Sequence, residues 1–212
     1  MFTGIIEEIG KIKQIVRSGQ TLQLVIQAKI VVEQLKIGDS IAVNGVCLTV
    51  VKFTATQFSV DVMPVTFKST ALAKLINGSL VNLERAMLNN GRFDGHIVSG
   101  HIDGVGKIIQ RKRLENSELF TIQIPNEIAQ YCVKKGSIAI DGTSLTIVDC
   151  ANDWLQVSLI PHTQEQTILG KQLVGTMVNL ENDILAKYQN KANIVKHSSL
   201  VNLDFLRQHG FA

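Results

Sequence analysis

Two short stretches carry the most reactive side chains of this sequence, and they are near copies of each other. Residues 44–51 read NGVCLTVV and residues 141–148 read DGTSLTIV, so Cys47 stands where the second copy has Ser144. A thiol and a hydroxyl can both attack electrophilic carbon or pass protons once a base is near. Taken alone, Cys47 in an apolar strand reads as a core thiol, because free cysteine is among the most buried residue types. The matching serine changes that reading. A hydroxyl left unpaired in a dry core costs about 1–3 kcal/mol, so a cleft open at both positions accounts better for the pair. Thr49 and Thr146, two residues further on, fall on the same strand faces as Cys47 and Ser144.

His101 takes the place of Ile5 in the repeat and adds, to one copy only, a group that exchanges protons near neutral pH; a structural histidine is the alternative. His162 stands where the first copy has Val65 and lines either the same cleft or the surface. His96 and His101 lack an H-E-x-x-H pattern and a third ligand, so no metal is expected. The GVGK at 104–107 has His101 where a phosphate loop needs glycine and Ile108 where it needs Ser or Thr. No nucleotide cofactor is indicated.

The elements that hold these residues are themselves repeated. The offset of 97 from Cys47 to Ser144 also lays VDVMPVT (60–66) over VSLIPHT (157–163), Gly78 over Gly175, and VNLE at 81–84 over VNLE at 178–181. With one residue of slip, FTGIIEEIGKI (2–12) matches VSGHIDGVGKI (98–108). The second copy therefore begins near Val98, after a turn-rich LNNGRFDG at 88–95. Two units of this length are two small domains rather than a solenoid. Asn44-Gly45 between apolar strands signals a hairpin, Pro64 ends its strand at an edge or kink, and several short strands with Gly-rich turns predict a small closed barrel in each half. After Glu181 the pattern changes to helical spacing: Asn182 or Asp183 caps a helix through Ile184, Leu185, Tyr188, Ala192 and Val195. Ser199 caps a final turn or two through Leu203 and Leu206, ending at Gly210. This tail has no counterpart in the first half, and its apolar stripe needs another surface.

Composition excludes several function classes. The 212 residues are 45% apolar and 18% charged, which supports packed cores rather than disorder. A formal charge of +3 with scattered basic residues and only 5% aromatics offers neither an electrostatic footprint nor a stacking platform for nucleic acid. The N-terminus places Glu7 and Glu8 where a signal peptide would be apolar, and no apolar run approaches the roughly 18 residues of a membrane span. Three cysteines without C-x-x-C suggest reduced thiols in the cytosol.

MFTGIIEEIGKI, NGVCLTVV, VSGHIDGVGKI, DGTSLTIV and IPHT closely resemble the riboflavin synthase alpha-chain family, in order and over almost the full chain. The resemblance implies a mainly β fold: two tandem six-stranded barrels, spanning residues 1–96 and 97–185, and a C-terminal oligomerisation helix at 186–212 that ties three chains into a trimer. It implies dismutation of two molecules of 6,7-dimethyl-8-ribityllumazine into riboflavin and 5-amino-6-ribitylaminouracil by four-carbon transfer, without added cofactor. Sites between subunits of a cytoplasmic homotrimer are also implied, and lumazine synthase stays open as a further partner. Two equal substrates with unequal fates suit a duplicated fold with unequal side chains.

Carried over residue by residue, the family's ligand contacts fall in the first barrel on Gly4, Ile5 and Ile6, on Cys47, Leu48 and Thr49, and on Asp61, Val62, Met63, Pro64, Val65 and Thr66. In the second they fall on Gly100, His101 and Ile102, on Lys135, on Ser144, Leu145 and Thr146, and on Ile160, Pro161, His162, Thr163, Gln164 and Glu165. Catalytic roles fall on Phe2, Cys47, His101, Ser144, Thr146 and Asp183. Two positions depart from the family pattern: Val65 stands where Glu is usual, and Asp94-Gly95-His96 where GGH is usual. The rival readings are a non-catalytic lumazine or flavin carrier, which would lack the reactive side chains and the full tail, and a flavin-binding reductase module, for which no nicotinamide domain remains.

Overall fold

The computed structural model describes residues 1–18, 21–197 and 203–211. The first half contains β1 (Glu8–Ser18), β2 (Thr21–Gln27), β3 (Ser40–Val43), β4 (Val46–Thr54), β5 (Gln57–Val62) and β6 (Leu80–Arg85). They close into an antiparallel barrel in the order β1-β2-β5-β4-β3-β6. In the second half, β7 (Gly104–Arg113), β8 (Glu118–Gln123), β9 (Ser137–Ile140), β10 (Thr143–Cys150), β11 (Trp154–Leu159) and β12 (Met177–Asn182) close by the same circuit. Alternation produces these walls: in β2, Leu22, Leu24 and Ile26 are buried while the residues between them are not. Each barrel encloses its own apolar cluster, around Phe58 in the first and Phe120 in the second.

Short helices punctuate the strands: α1 (Pro64–Ser69), α2 (Asn126–Ala129) and α3 (Pro161–Gln166). Pro64 and Pro161 each open a helix, where the missing N–H has no partner to lose. The strand before Pro64 ends there, as expected, but it is no edge, since β5 is bonded to both β2 and β4. The tail forms α4 (Ile184–His197) and α5 (Leu203–Gln208). The Asp183 carboxylate accepts the Leu185 N–H at 3.0 Å, capping α4. Lys187 pairs with Asp103 at 2.5 Å, and Asp103 also accepts the Asn182 N–H at 2.8 Å, which ties the helix to the second barrel. Leu185 and Tyr188 point into solvent from this helix. Ser199, the expected second cap, lies outside the described residues.

The hairpin tips of the two copies meet. Asn44 and Gly45 have φ of 46° and 78°, Asp141 and Gly142 have 45° and 79°, the paired left-handed geometry of a two-residue turn. A Cβ on Gly45 would sit 2.7 Å from the Gly142 nitrogen, and one on Gly142 would sit 2.8 Å from the Gly45 nitrogen. Gly142→Ala is therefore expected to cost about 2–4 kcal/mol, from left-handed strain plus backbone overlap. Gly38→Ala, at φ 94° with nothing within 4 Å, should cost only the strain, about 1–2 kcal/mol. Urea unfolding of the two variants checks this; equal losses would show that the tips can part.

Asparagines stitch the barrels around these tips. Asn82 donates to the Asp141 carbonyl and accepts the Ile168 N–H; in the mirrored pair, Asn179 donates to the Asn44 carbonyl and accepts the Ala71 N–H. One position breaks the symmetry. Asp141, where the first copy has Asn44, is fully buried, and burial pushes its carboxyl up to about 7 despite the Asn179 N–H and the Gln172 amide donating to it. Its unfolded form ionises near 4. The stability it contributes as a neutral acid is complete below about pH 4 and is lost as pH rises towards about 7. Asp141→Asn copies the first barrel, and its new amide can donate to Gln172 Oε1, a buried atom without a protein partner, once that side chain flips. The melting temperature of the variant relative to the parent should rise from pH 5 to pH 8. Parallel pH curves would contradict the assignment.

Candidate functional site

Both reactive positions occur at the same place in their barrels. Because β4 and β5 run antiparallel with Val50 opposite Val60, the end of β5 and the start of α1 come beside the start of β4. Asp61, Val62, Met63, Pro64, Val65 and Thr66 thus approach Cys47, Leu48 and Thr49. β10 and β11 repeat this with Ile147 opposite Val157, bringing Ile160, Pro161, His162, Thr163, Gln164 and Glu165 towards Ser144, Leu145 and Thr146. Leu48 and Leu145 point into the barrels, while Cys47 and Ser144 are half-buried and Thr49 and Thr146 exposed on the other face. Lys135 joins the second group through its N–H, which donates to the Ile147 carbonyl at 2.8 Å. It holds a left-handed φ of 68° where the first copy uses Gly38, a backbone cost that sets a side chain in place.

The opening segments, by contrast, cross over. Phe2 and Val98 form an antiparallel bridge between the barrels. The Ser144 N–H donates to the Gly4 carbonyl at 2.8 Å, and the Cys47 N–H donates to the Gly100 carbonyl at 2.9 Å. Gly4 and Gly100, at φ 78° and 83°, lie so close that added Cβ atoms would be 2.6 Å from Ser144 Cβ and 2.5 Å from Cys47 Cβ. The grouping expected from sequence is corrected here: Gly4 abuts the second barrel, and Gly100, with His101 and Ile102 after it, abuts the first. His101 accordingly sits on the Cys47 side, not the Ser144 side. Sequence order along the repeat carried no sign of the exchange, because it is a tertiary swap of two equivalent segments. Ile5, exposed, faces a cavity of about 720 Å³ that Glu33, Ser40, Arg85 and Arg92 also line and that contains neither Cys47 nor Ser144. Phe2 is fully buried among Val98, Ala42 and Ala139, with its ring beneath Gly100.

Ser144 has a partner that the sequence reading missed. His96 Nδ1 lies 2.7 Å from Ser144 Oγ, so the hydroxyl has a protein partner, where the sequence reading offered an open cleft instead. The imidazole is buried, its Nε2 has no protein partner, and burial lowers its pKa from the ordinary histidine value, opposed by the charge of Asp183. In its Nε2–H tautomer, neutral His96 can accept the serine O–H at Nδ1 and take its proton, and the charge of Asp183 favours the imidazolium that results. Gly95 makes this approach possible: a Cβ there would meet the Thr3 carbonyl oxygen at 2.0 Å. Asp94, the departure before it, is exposed and lies outside this contact. The Gly-His pair just before the second copy was the available clue. Around Cys47 the neighbours differ: His101 is exposed, and Met63 and Val65 stand out from the barrel, as Ile160 does on the other side. Cys132 and Cys150 lie together at the second barrel's wall, and burial pushes the Cys132 thiol up to about 12, which leaves it inert. Among the described residues no cluster of three metal-ligating side chains occurs, and no helix is long and apolar enough to cross a membrane.

Two barrels of one circuit, each with a half-buried thiol or hydroxyl near the start of its fourth strand, define a duplicated β-barrel protein. The lumazine-binding domain model matches residues 3–86 and again 99–183, and the chain belongs to that family. It is 50% identical to the riboflavin synthase of Actinobacillus pleuropneumoniae and 46% identical to that of Bacillus subtilis (strain 168), in both cases over 100% of each chain. Among solved structures, LumP complexed with riboflavin superposes with a TM-score of 0.79 at 27% identity, and LumP complexed with 6,7-dimethyl-8-(1'-D-ribityl) lumazine with 0.77; each covers 86% of this chain and 99% of the other.

Proposed function

We propose that this chain is a riboflavin synthase that dismutates two molecules of 6,7-dimethyl-8-ribityllumazine, working as a homotrimer in the cytoplasm with its reaction centres between subunits. The observation that carries the reading is the pair of equivalent strand positions with unequal chemistry: Cys47 held against Gly100, which His101 follows, and Ser144 held against Gly4 and bonded to His96. One lumazine must lose a C7-methyl proton and become the nucleophile, and the other must accept it on the ring. A serine–imidazole pair suits the proton transfer, and proximity of two bound rings supplies much of the acceleration. Site contacts are proposed at the residues grouped above, with barrels near 1–96 and 97–185 and the helical tail from 186. Exposed Met63, Val65 and Ile160 and the open faces of Leu185 and Tyr188 support a partner chain completing both the pockets and the helix.

LumP keeps the alternative of a carrier in view. Protein treated exhaustively with EDTA, then incubated with the lumazine, is expected to build up riboflavin absorbance at an undiminished rate. Tight binding without turnover would favour the carrier, and strict dependence on added metal would refute a reaction run by side chains alone.

A further inference from the structure

The segments that cross between the barrels are held by two buried carboxylates that equivalent positions of the repeat supply. Glu84, near the end of β6, accepts the Thr3 N–H at 2.7 Å, the Thr3 hydroxyl at 2.8 Å and the Gly4 N–H at 3.0 Å. Glu181, near the end of β12, accepts the Ser99 N–H and hydroxyl, each at 2.6 Å, and the Gly100 N–H at 3.0 Å. Both side chains are nearly inaccessible to solvent. A carboxylate buried at such a place is favourable only when its lone pairs are filled, and three donors from one dipeptide fill them. The residues so gripped are those whose carbonyls receive the N–H of Ser144 and of Cys47.

We infer that Glu84 and Glu181 are crossed positioning residues: each carboxylate sets the pocket of the barrel to which it does not belong. Glu84 of the first barrel fixes Gly4 against Ser144 of the second, and Glu181 of the second fixes Gly100, and so the departure of His101, against Cys47 of the first. The inference rests on reading the two pockets as flavin and lumazine pockets. Neither glutamate touches the reacting atoms. Replacement by glutamine keeps the size and one acceptor oxygen but turns an amide N–H against the glycine N–H, so the crossing segment loses its seat.

Site-resolved ligand protection tests this with riboflavin as the probe. Cys47 is the native reporter of one pocket, and Ser144→Cys supplies a thiol in the other; alkylation at each is followed by peptide mass mapping. In the parent, riboflavin should slow alkylation at both positions. In Glu181→Gln, half-protection of Cys47 should need about 10-fold more riboflavin or higher, with protection at position 144 unchanged; Glu84→Gln should show the reverse. Ser99→Ala and Thr3→Val each remove one donor and leave the carboxylate, and should shift the same pockets by less, a control for variants that fold poorly. Loss confined to the pocket of the mutated barrel, or equal loss at both, overturns the crossed assignment. Protection at neither thiol in the parent overturns the ligand reading itself, a distinguishable result.

Discussion

Two inactive variants of this chain, unfolded and refolded together, are expected to recover activity. The first carries Cys47→Ala with His101→Ala and the second Ser144→Ala with Thr146→Ala. The pairing follows the crossover: since Gly100 abuts Cys47, His101 belongs with the first pocket, and a variant combining His101→Ala with Ser144→Ala would damage both pockets at once. Each variant on its own should be nearly inactive. If the reaction centre joins the Cys47 pocket of one chain to the Ser144 pocket of its neighbour, random mixing leaves about one quarter of such interfaces intact in both halves, and turnover should return to that level. Within one chain the tips of the two barrels pack closely at Gly45 and Gly142. A centre made within one chain would always hold one damaged half and recover nothing. Mixed oligomers verified by native mass, with no recovered turnover, would overturn the shared centre.

Removing either member of the Ser144–His96 pair is expected to lower kcat by roughly 10²–10⁴-fold, with KM moved only a few-fold, because proton transfer acts in the transition state. The pair is one unit, so His96→Ala in a Ser144→Ala background should add little. The pH profile supplies the sign. Burial lowers the His96 pKa below 6.5, so the imidazole is neutral and able to accept the serine proton at neutral pH. The rate should fall only as pH drops through that lowered value, and both single variants should lose this acid limb. The same depressed pKa makes stability fall over that window, from 6.5 downward, because the unfolded chain takes up the proton first. Melting curves must therefore accompany the rates. Additive losses in the double variant, or an acid limb that survives His96→Ala, would return His96 to a packing role.

Duplication, the turn-forming Asn44-Gly45 and Asp141-Gly142, the strand alternation and the change to helical spacing after Glu181 were all readable in the sequence. Each depends on residues near in the chain or on a repeat at constant offset, and local sterics and periodicity act at that range. The same is true of Cys47 against Ser144 as an asymmetric pair. What lies across the pseudo-symmetry could be read only in the folded chain. Two equivalent opening segments could close on their own barrels or exchange, and both arrangements satisfy the same repeat pattern; the buried grips of Glu84 and Glu181 and the Phe2–Val98 bridge select exchange. In the sequence His96 likewise figures only as a metal ligand weighed and set aside, and the fold brings it to Ser144, 48 residues further along the chain. The sequence by itself determined two barrels, a helical tail and which atoms are reactive. The tertiary structure alone decided which reactive atoms stand together, because long-range hydrogen bonds between equivalent segments leave no periodic trace in the chain that makes them.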